Sequence, residues 1–287
     1  MTLSNRKILR TLLCLLAGTL YAVCLSACDA KEPLSENRDA EIESPVIAND
    51  LSNQKVTAIA EDTQGHIWIG TFRGLNKNNV HDYHQYFCTD DSLGLPDNQI
   101  THLLRDSKNR FWVGTVNGVC LYTDKDNFRI IPIEADNKNV RQILEDRNGR
   151  IFLNTGFQLY AYHPREEKIT CVLPEISPGN AFYAQCHIAP DNNLWVMTST
   201  GLRCYDLSTL QLKESVALNG YPYYSYLHNN ELWITGNHTL SIFDTRTRSF
   251  KPLPQPIAQN TTLCNADIDY IPVSYTHLRA HETAANL

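Results

Sequence analysis

Short apolar runs bounded by glycine, asparagine or aspartate recur along this chain, and no helical period accompanies them. The run "HIWIGT" around Trp68 is followed by "RFWVGT" (Trp112), "RIFLNT" (Phe152), "NLWVMT" (Trp195) and "ELWITG" (Trp233). The aromatic residues stand 44, 40, 43 and 38 residues apart, the period of stacked supersecondary units. An apolar run of this length between turn residues suits a strand buried on both faces. Three residues before each aromatic come Gly65, Asn109, Gly149, Asn192 and Asn230. Glycine and asparagine accept a positive φ, so this column predicts a tight hairpin turn. Asp62, Asp106 and Asp146 precede it by three, where a carboxylate can bind turn amides.

Other positions keep the same register. Before the turn lie Val56 and Ile59, Ile100 and Leu103, Val140 and Ile143. Seven residues past the aromatic are Leu75, Val119, Leu159, Leu202 and Leu240; ten past are Tyr122, Tyr162, Tyr205 and Phe243, with Asn78 the exception. A fourth, more variable segment ("HQYFCT", "NFRIIPI", "KITCVL", "LKESVAL", "SFKPLP") completes each unit. Four short strands per unit predict an all-β chain, a β-propeller of four-stranded blades in which the aromatic packs between neighbours. Five units run from Leu51 to Pro254, and "NTTLCNADIDYIP" reads as a fragment of a sixth, so the expectation is an incomplete propeller over 51–273. Residues 29–50 read as a linker that could at most lend one outer strand. Residues 274–287 keep none of the columns and resemble translated vector sequence more than protein.

Residues 1–28 change the picture of where the chain works. Arg6, Lys7 and Arg10 precede the apolar run "TLLCLLAGTLYAVCL", as in an export signal, and the run ends in Leu25-Ser26-Ala27-Cys28, which resembles a lipoprotein cleavage box. Lipidation of Cys28, ordinary cleavage nearby and an uncleaved anchor all put the rest outside the cytoplasm, on the periplasmic side of the inner membrane. At 43% hydrophobic and 20% charged residues, the chain is neither disordered nor wholly membrane-embedded in composition. Its net charge is −6, and setting aside the three cationic leader residues leaves −9. An acidic chain without a basic cluster makes a poor nucleic-acid binder. Outside the leader, Cys88, Cys120, Cys171, Cys186, Cys204 and Cys264 show no regular spacing, and the expectation for most is small buried apolar side chains.

The stretches "LSNQKVTAIAEDTQGHIWIGTFRGL" and "GLPDNQITHLLRDSKNRFWVGTVNGVCLY" resemble the two-component regulator propeller repeat: a polar lead-in, apolar-x-x-apolar, Asp, a turn, then Trp-apolar-Gly-Thr-x-x-Gly-apolar. The first two units match closely and the next three loosely. The resemblance implies the periplasmic sensor region of a hybrid two-component regulator, often one controlling polysaccharide utilisation. In that family two propellers usually precede an immunoglobulin-like domain, a membrane helix, a histidine kinase and a response regulator. A lipobox fits such an arrangement awkwardly, because the kinase has its own membrane helix.

Chemistry-bearing motifs are few. His81 and His84 have metal-compatible spacing but lie in the variable outer segment of a single unit. His277, His281 and Glu282 lack the Glu directly after the first histidine that a zinc-enzyme helix needs. Cys186 and His187 sit on a strand, where packing is the default. Neither catalytic residues nor a cofactor or metal site is expected. A binding surface is easier to place, since equivalent loops converge on one face of a propeller. The loop after each aromatic strand offers Phe72, Arg73, Asn117, Phe157, Thr200, Asn237 and His238, groups that suit sugar hydroxyls and uronate carboxylates. The function expected is sensing of a glycan-derived ligand. Membrane contact would run through the leader, a lipid or a downstream helix, and the full-length form would be a homodimer. The alternatives are an exported propeller lyase or hydrolase and a lipid-anchored interaction module. If Cys28 carries lipid, Cys28→Ser abolishes membrane partitioning in detergent phase separation and leaves export intact. A soluble wild-type product starting at Asp29 or later contradicts it.

Overall fold

Each aromatic of the column lies on the second strand of an antiparallel sheet whose strands follow sequence order. The computed structural model describes residues 45–255, apart from 80, 90–93, 124, 177–183 and 238. After β1 (Val46–Ala48), blade one comprises β2 (Val56–Glu61), β3 (Ile67–Thr71), β4 (Gly74–Asn78) and β5 (Tyr83–Tyr86). Blade two is β6 (Ile100–Arg105), β7 (Phe111–Thr115), β8 (Gly118–Thr123) and β9 (Asn127–Ile131). Blade three is β10 (Gln142–Glu145), β11 (Ile151–Asn154), β12 (Leu159–His163) and β13 (Lys168–Leu173). Blade four is β14 (Gln185–Ile188), β15 (Asn193–Thr198), β16 (Gly201–Asp206) and β17 (Leu212–Ala217). Blade five is β18 (Pro222–His228), β19 (Glu231–Gly236), β20 (Thr239–Asp244) and β21 (Ser249–Lys251). First strands of successive blades meet, β2 with β6, β6 with β10, β10 with β14 and β14 with β18. They are the inner strands of a β-propeller, with five blades among the described residues. Within 29–50, β1 adds an outer fifth strand to blade one, Val46 opposite Gln85. Three residues are too few to register as a pattern.

The turn columns have direct physical causes. Between the first and second strands, Asp62 Oδ1 accepts the Gln64 and His66 amides at 2.9 and 3.0 Å. Asp106 does the same for Lys108 and Arg110, and Asp146 for Asn148 and Arg150. Gly65, Asn109, Gly149 and Asn192 take the left-handed φ that closes the turn. Blade five differs: His228 pairs directly with Glu231, and the positive φ falls on Asn229 instead of the expected Asn230. This turn has two residues, Asn229 and Asn230. Between the second and third strands, Thr71 Oγ1 donates to the Gly74 carbonyl at 2.8 Å and accepts the Arg73 amide. Thr115 and Thr198 repeat this bonding across their own turns. Glycine after each turn takes a positive φ, +111° at Gly74 and +133° at Gly118.

The aspartates do a second job. Trp68 Nε1 donates to Asp62 Oδ2 at 2.9 Å, and Trp112 Nε1 to Asp106 Oδ2 at 2.8 Å. A tryptophan can thus be wholly buried while its indole N–H stays paired. In blade four the equivalent position is Ala189, and buried Trp195 Nε1 has no hydrogen-bond partner among the described residues. The backbone there is the same, since Ala189 N bonds Asn193 O as Asp62 N bonds His66 O.

The core is a series of apolar layers, each shared by two blades. Trp68 of blade one lies 5.0 Å from Phe111 and 4.7 Å from Tyr122 of blade two, ring centroid to ring centroid. Trp112 meets Tyr162 at 4.9 Å, and Trp195 meets Phe243 at 5.0 Å. The residue ten past each aromatic therefore covers the aromatic of the preceding blade. Phe152 and Tyr205 share a layer in the same way. At the two ends this coverage stops among the described residues: Trp233 is half-buried, and Ile59 is 59% exposed where Leu103 and Ile143 are 7% and 2%. Of the cysteines, Cys120, Cys186 and Cys204 are buried as expected, whereas Cys171 is exposed on an outer strand. Trp112→Ala is expected to cost about 3–5 kcal/mol in chemical denaturation, as for other buried aromatics. Ala189→Asp is expected to gain about 1 kcal/mol by pairing the Trp195 indole. A loss from the second change would mean that the blade-four turn has no room for the carboxylate.

Candidate functional site

The inner strands surround the axis, and the side chains they send toward one another decide what the axis can bind. One register position recurs: Ala58, His102, Gln142, Gln185 and Tyr224 each pair with the residue two past the column aromatic. Adjacent inner strands have no ladder of backbone bonds between them, so side chains at this position supply the link. Gln142 Oε1 accepts the Cys186 amide at 2.8 Å, and its Nε2 donates to the Cys186 carbonyl. One blade on, Gln185 Oε1 accepts the Ser225 amide at 2.7 Å, and its Nε2 donates to the Tyr223 carbonyl. His102 bonds the backbone of Ile143 in the same manner.

These residues, with Arg141, Ala184, His187 and Ser225, bound a cavity of about 270 Å³ along the inner strands of blades two to five. It lies where the inner strands of blades three to five begin, the end of each blade that also carries the turn between second and third strands. Burial pulls both imidazoles down: His102 titrates at about 4, partly offset by its bond to Ile143, and His187 at about 4. Both are neutral at physiological pH and serve as hydrogen-bonding groups.

His187 Nε2 lies 2.8 Å from Ser225 Oγ, a separation that would suit a base and a nucleophile. The surrounding bonds run the other way. Ser225 Oγ donates to Gln185 Oε1 at 3.0 Å, and Gln185 is held in that orientation by the Ser225 amide and the Tyr223 carbonyl. The serine hydroxyl thus has a second acceptor in Gln185, and in that arrangement His187 Nε2 donates to Oγ. Ser225 is also buried. Among the described residues, no three of His, Cys, Asp and Glu gather as a metal site would need.

The loop residues expected to bind ligand occupy the same end of the propeller. Phe72, Arg73, Asn117, Thr200 and Asn237 are exposed, and Phe157 is half-buried. Lys55 Nζ stands 4.1 Å over the Phe72 ring. The Phe157 turn adjoins the cavity, because Ala184 N bonds Gly156 O. The Asn237 amide bonds Tyr221 O at the start of β18. His238 lies outside the described residues, as do Cys28, Cys264, His277, His281 and Glu282. The loops are a rim, then, and the cavity wall comes from inner-strand residues that the sequence reading passed over. His187 in particular was expected only to pack. The repeat alignment itself held the signal: polar His102, Gln142 and Gln185 stand in one column of otherwise apolar strands.

The depressed histidines make stability pH-dependent. The unfolded chain binds protons at about 6.5 while the folded imidazoles resist until about 4, so stability is fully present above 6.5 and falls as pH drops through that window. His102→Gln, which installs the residue found at this position in blades three and four, should flatten part of that slope. Thermal melts across the window check this, and an unchanged slope contradicts it.

Comparisons with known proteins agree with this geometry. Residues 50–73 and 94–117 match the family described as two component regulator propeller. By sequence, no curated protein matches the chain. Among solved structures, the extracellular domain of a hybrid two component system from B. thetaiotaomicron is similar at 20% identity and a TM-score of 0.60. That match covers 72% of this chain and 31% of that one, so this chain spans about a third of its length. Virginiamycin B lyase from Staphylococcus aureus is similar at 18% identity and a TM-score of 0.56, covering 74% of each chain. A streptogramin B lyase is similar at 17% identity and a TM-score of 0.55, covering 76% of each. At these identities the likeness is one of fold, and with the matched segments it supports one conclusion: this chain folds as a β-propeller whose first two blades carry segments matching the two-component regulator propeller repeat.

Proposed function

We propose that this chain is a ligand-sensing module outside the cytoplasm, the start of a hybrid two-component sensor, and that it reads a glycan-derived oligosaccharide at the propeller axis. The observation that carries the reading is the inner-strand cavity, where a guanidinium, two neutral imidazoles, a tyrosine and a ring of fixed amides meet beneath a rim of exposed loops. Such groups recognise hydroxyls and carboxylates by direction and leave the ligand intact. The matched repeats support a sensor, and the apolar leader supports a place on the periplasmic side of the inner membrane. Signal output would belong to a kinase elsewhere in the full-length protein, which would act as a homodimer.

A propeller lyase is the second reading, favoured by the shared coverage with the two lyase structures. The burial of Ser225 and the competing acceptor Gln185 Oε1 weigh against nucleophilic chemistry at this cavity. Isothermal titration of the purified protein against a panel of neutral and acidic oligosaccharides separates the two. Binding without turnover is expected, and Arg141→Ala or His187→Ala should weaken it about tenfold, the cost of one charge-assisted or buried hydrogen bond. Arg73→Ala with Asn117→Ala should weaken it less. Turnover of the glycan would establish the lyase reading. Affinity unchanged in both cavity variants would move the site away from the axis.

A further inference from the structure

A second cavity, of about 570 Å³, opens between blades one and two at the opposite end from the axial cavity and its rim. Its wall combines the Asp62–Gln64 turn and β4 of blade one with the end of β6, the start of β7 and the Lys125–Asp126 turn of blade two. No repeat column explains it. In the next inter-blade gap Glu145 reaches across to Ser107, accepting both its amide and its hydroxyl. Here the residue equivalent to Glu145 is Arg105, which instead donates to the Asp62 carbonyl at 2.9 Å.

The balance of donors and acceptors in this cavity is uneven. Its two carboxylates are already engaged. Asp62 accepts from the Trp68 indole and two turn amides, and Asp126 accepts the Tyr86 and Tyr122 hydroxyls at 2.6 and 2.9 Å. Lys77, Arg105 and Lys125 face the same space with the amides of Gln64 and Asn109. An ammonium carries three donors and a guanidinium five. Among the described residues Lys77 spends one on Tyr122 Oη at 3.5 Å, and Arg105 one on Asp62. What remains is an excess of donors and one net positive charge, beside the aromatic wall of Phe111 and Tyr122. A bare inorganic ion would leave most of the volume empty, whereas this volume is typical of small-molecule sites.

We propose that this inter-blade cavity binds a small organic anion, a carboxylate or phosphate carried on a carbon skeleton of sugar size. The site goes beyond the axial reading and stands independently of it. Because Gln64 and Lys77 come from blade one and Arg105 and Lys125 from blade two, a bound anion ties the two blades together. Ligand that binds only the folded state raises its stability.

The test uses the whole protein with glucuronate and glucose 6-phosphate as the two anionic probes and glucose as the neutral one. At millimolar concentration at least one anion should raise the melting midpoint while glucose does not, and which one does so tells carboxylate from phosphate. Titration calorimetry should show Lys77→Gln and Lys125→Asn each weakening that anion by about fivefold or more, with further weakening at high salt. Asparagine suits position 125 because the backbone there has φ +71°, so the ligand-free melt of Lys125→Asn should match the parent. Equal shifts from glucose and the anions, no shift from any of the three, or unchanged affinity in both variants would overturn the proposal. The axial variants Arg141→Ala and His187→Ala leave this anion's binding unchanged.

Discussion

No blade of this protein can bury its own aromatic. Trp68 stacks on Tyr86 of its own blade but needs Phe111 and Tyr122 of the following blade to complete its cover, as Trp112 needs Tyr162 and Trp195 needs Phe243. Each four-stranded sheet therefore has two apolar faces that stay in water until neighbours cover them, and folding is a matter of stacking. A repeat with this property gains its core from the interface rather than from the unit. The requirement for close contact explains the glycine two past Trp68: a Cβ on Gly70 would stand 2.5 Å from Ile100 Cγ2 of the next inner strand.

Burying a tryptophan on both faces raises the question of its indole N–H. Blades one and two answer it with the aspartate that also organises the neighbouring turn, so one carboxylate fixes local geometry and satisfies a buried donor. Blade three keeps the aspartate although its aromatic is Phe152, and Asp146 Oδ2 accepts Arg150 Nε at 2.7 Å, as Asp106 Oδ2 accepts Arg110 Nε beside the Trp112 indole. Blade four keeps the tryptophan and loses the aspartate. These substitutions show the turn role and the indole role separating as the repeat diverges, with the turn preserved in each case.

The axis follows from the same geometry. Inner strands brought side by side by stacking have no shared ladder, and His102, Gln142 and Gln185 link them through side chains. Linking polar groups at an axis necessarily leaves a polar cavity, and the bonds that hold it together also fix its donors and acceptors in place. The cavity thus has the preorganisation that selective binding requires. The same bonds set Gln185 Oε1 beside the Ser225 hydroxyl as a competing acceptor to His187.

Periodicity carried most of the fold. The aromatic column, the Asp-to-turn spacing and the Gly-Thr turns are local or period-bound features, and each strand stands where its run predicted. Asn230 misled because a two-residue turn and a five-residue turn both place asparagine before the strand, and the choice depends on how far the pairing of the two strands runs. β1 was illegible because three residues carry no alternation. The loop residues Arg73 and Asn117 could be placed on one face from the repeat alone, but the cavity beneath them could not. His102, Arg141, His187 and Ser225 come from four blades, on or just before their inner strands, and share a space only after those blades have stacked. The same holds between blades one and two, where Lys77, Arg105 and Lys125 meet across an interface. One-dimensional repetition determines what each blade is. What lies between the blades depends on the residues that break the repeat, and only their tertiary neighbours give those residues a role.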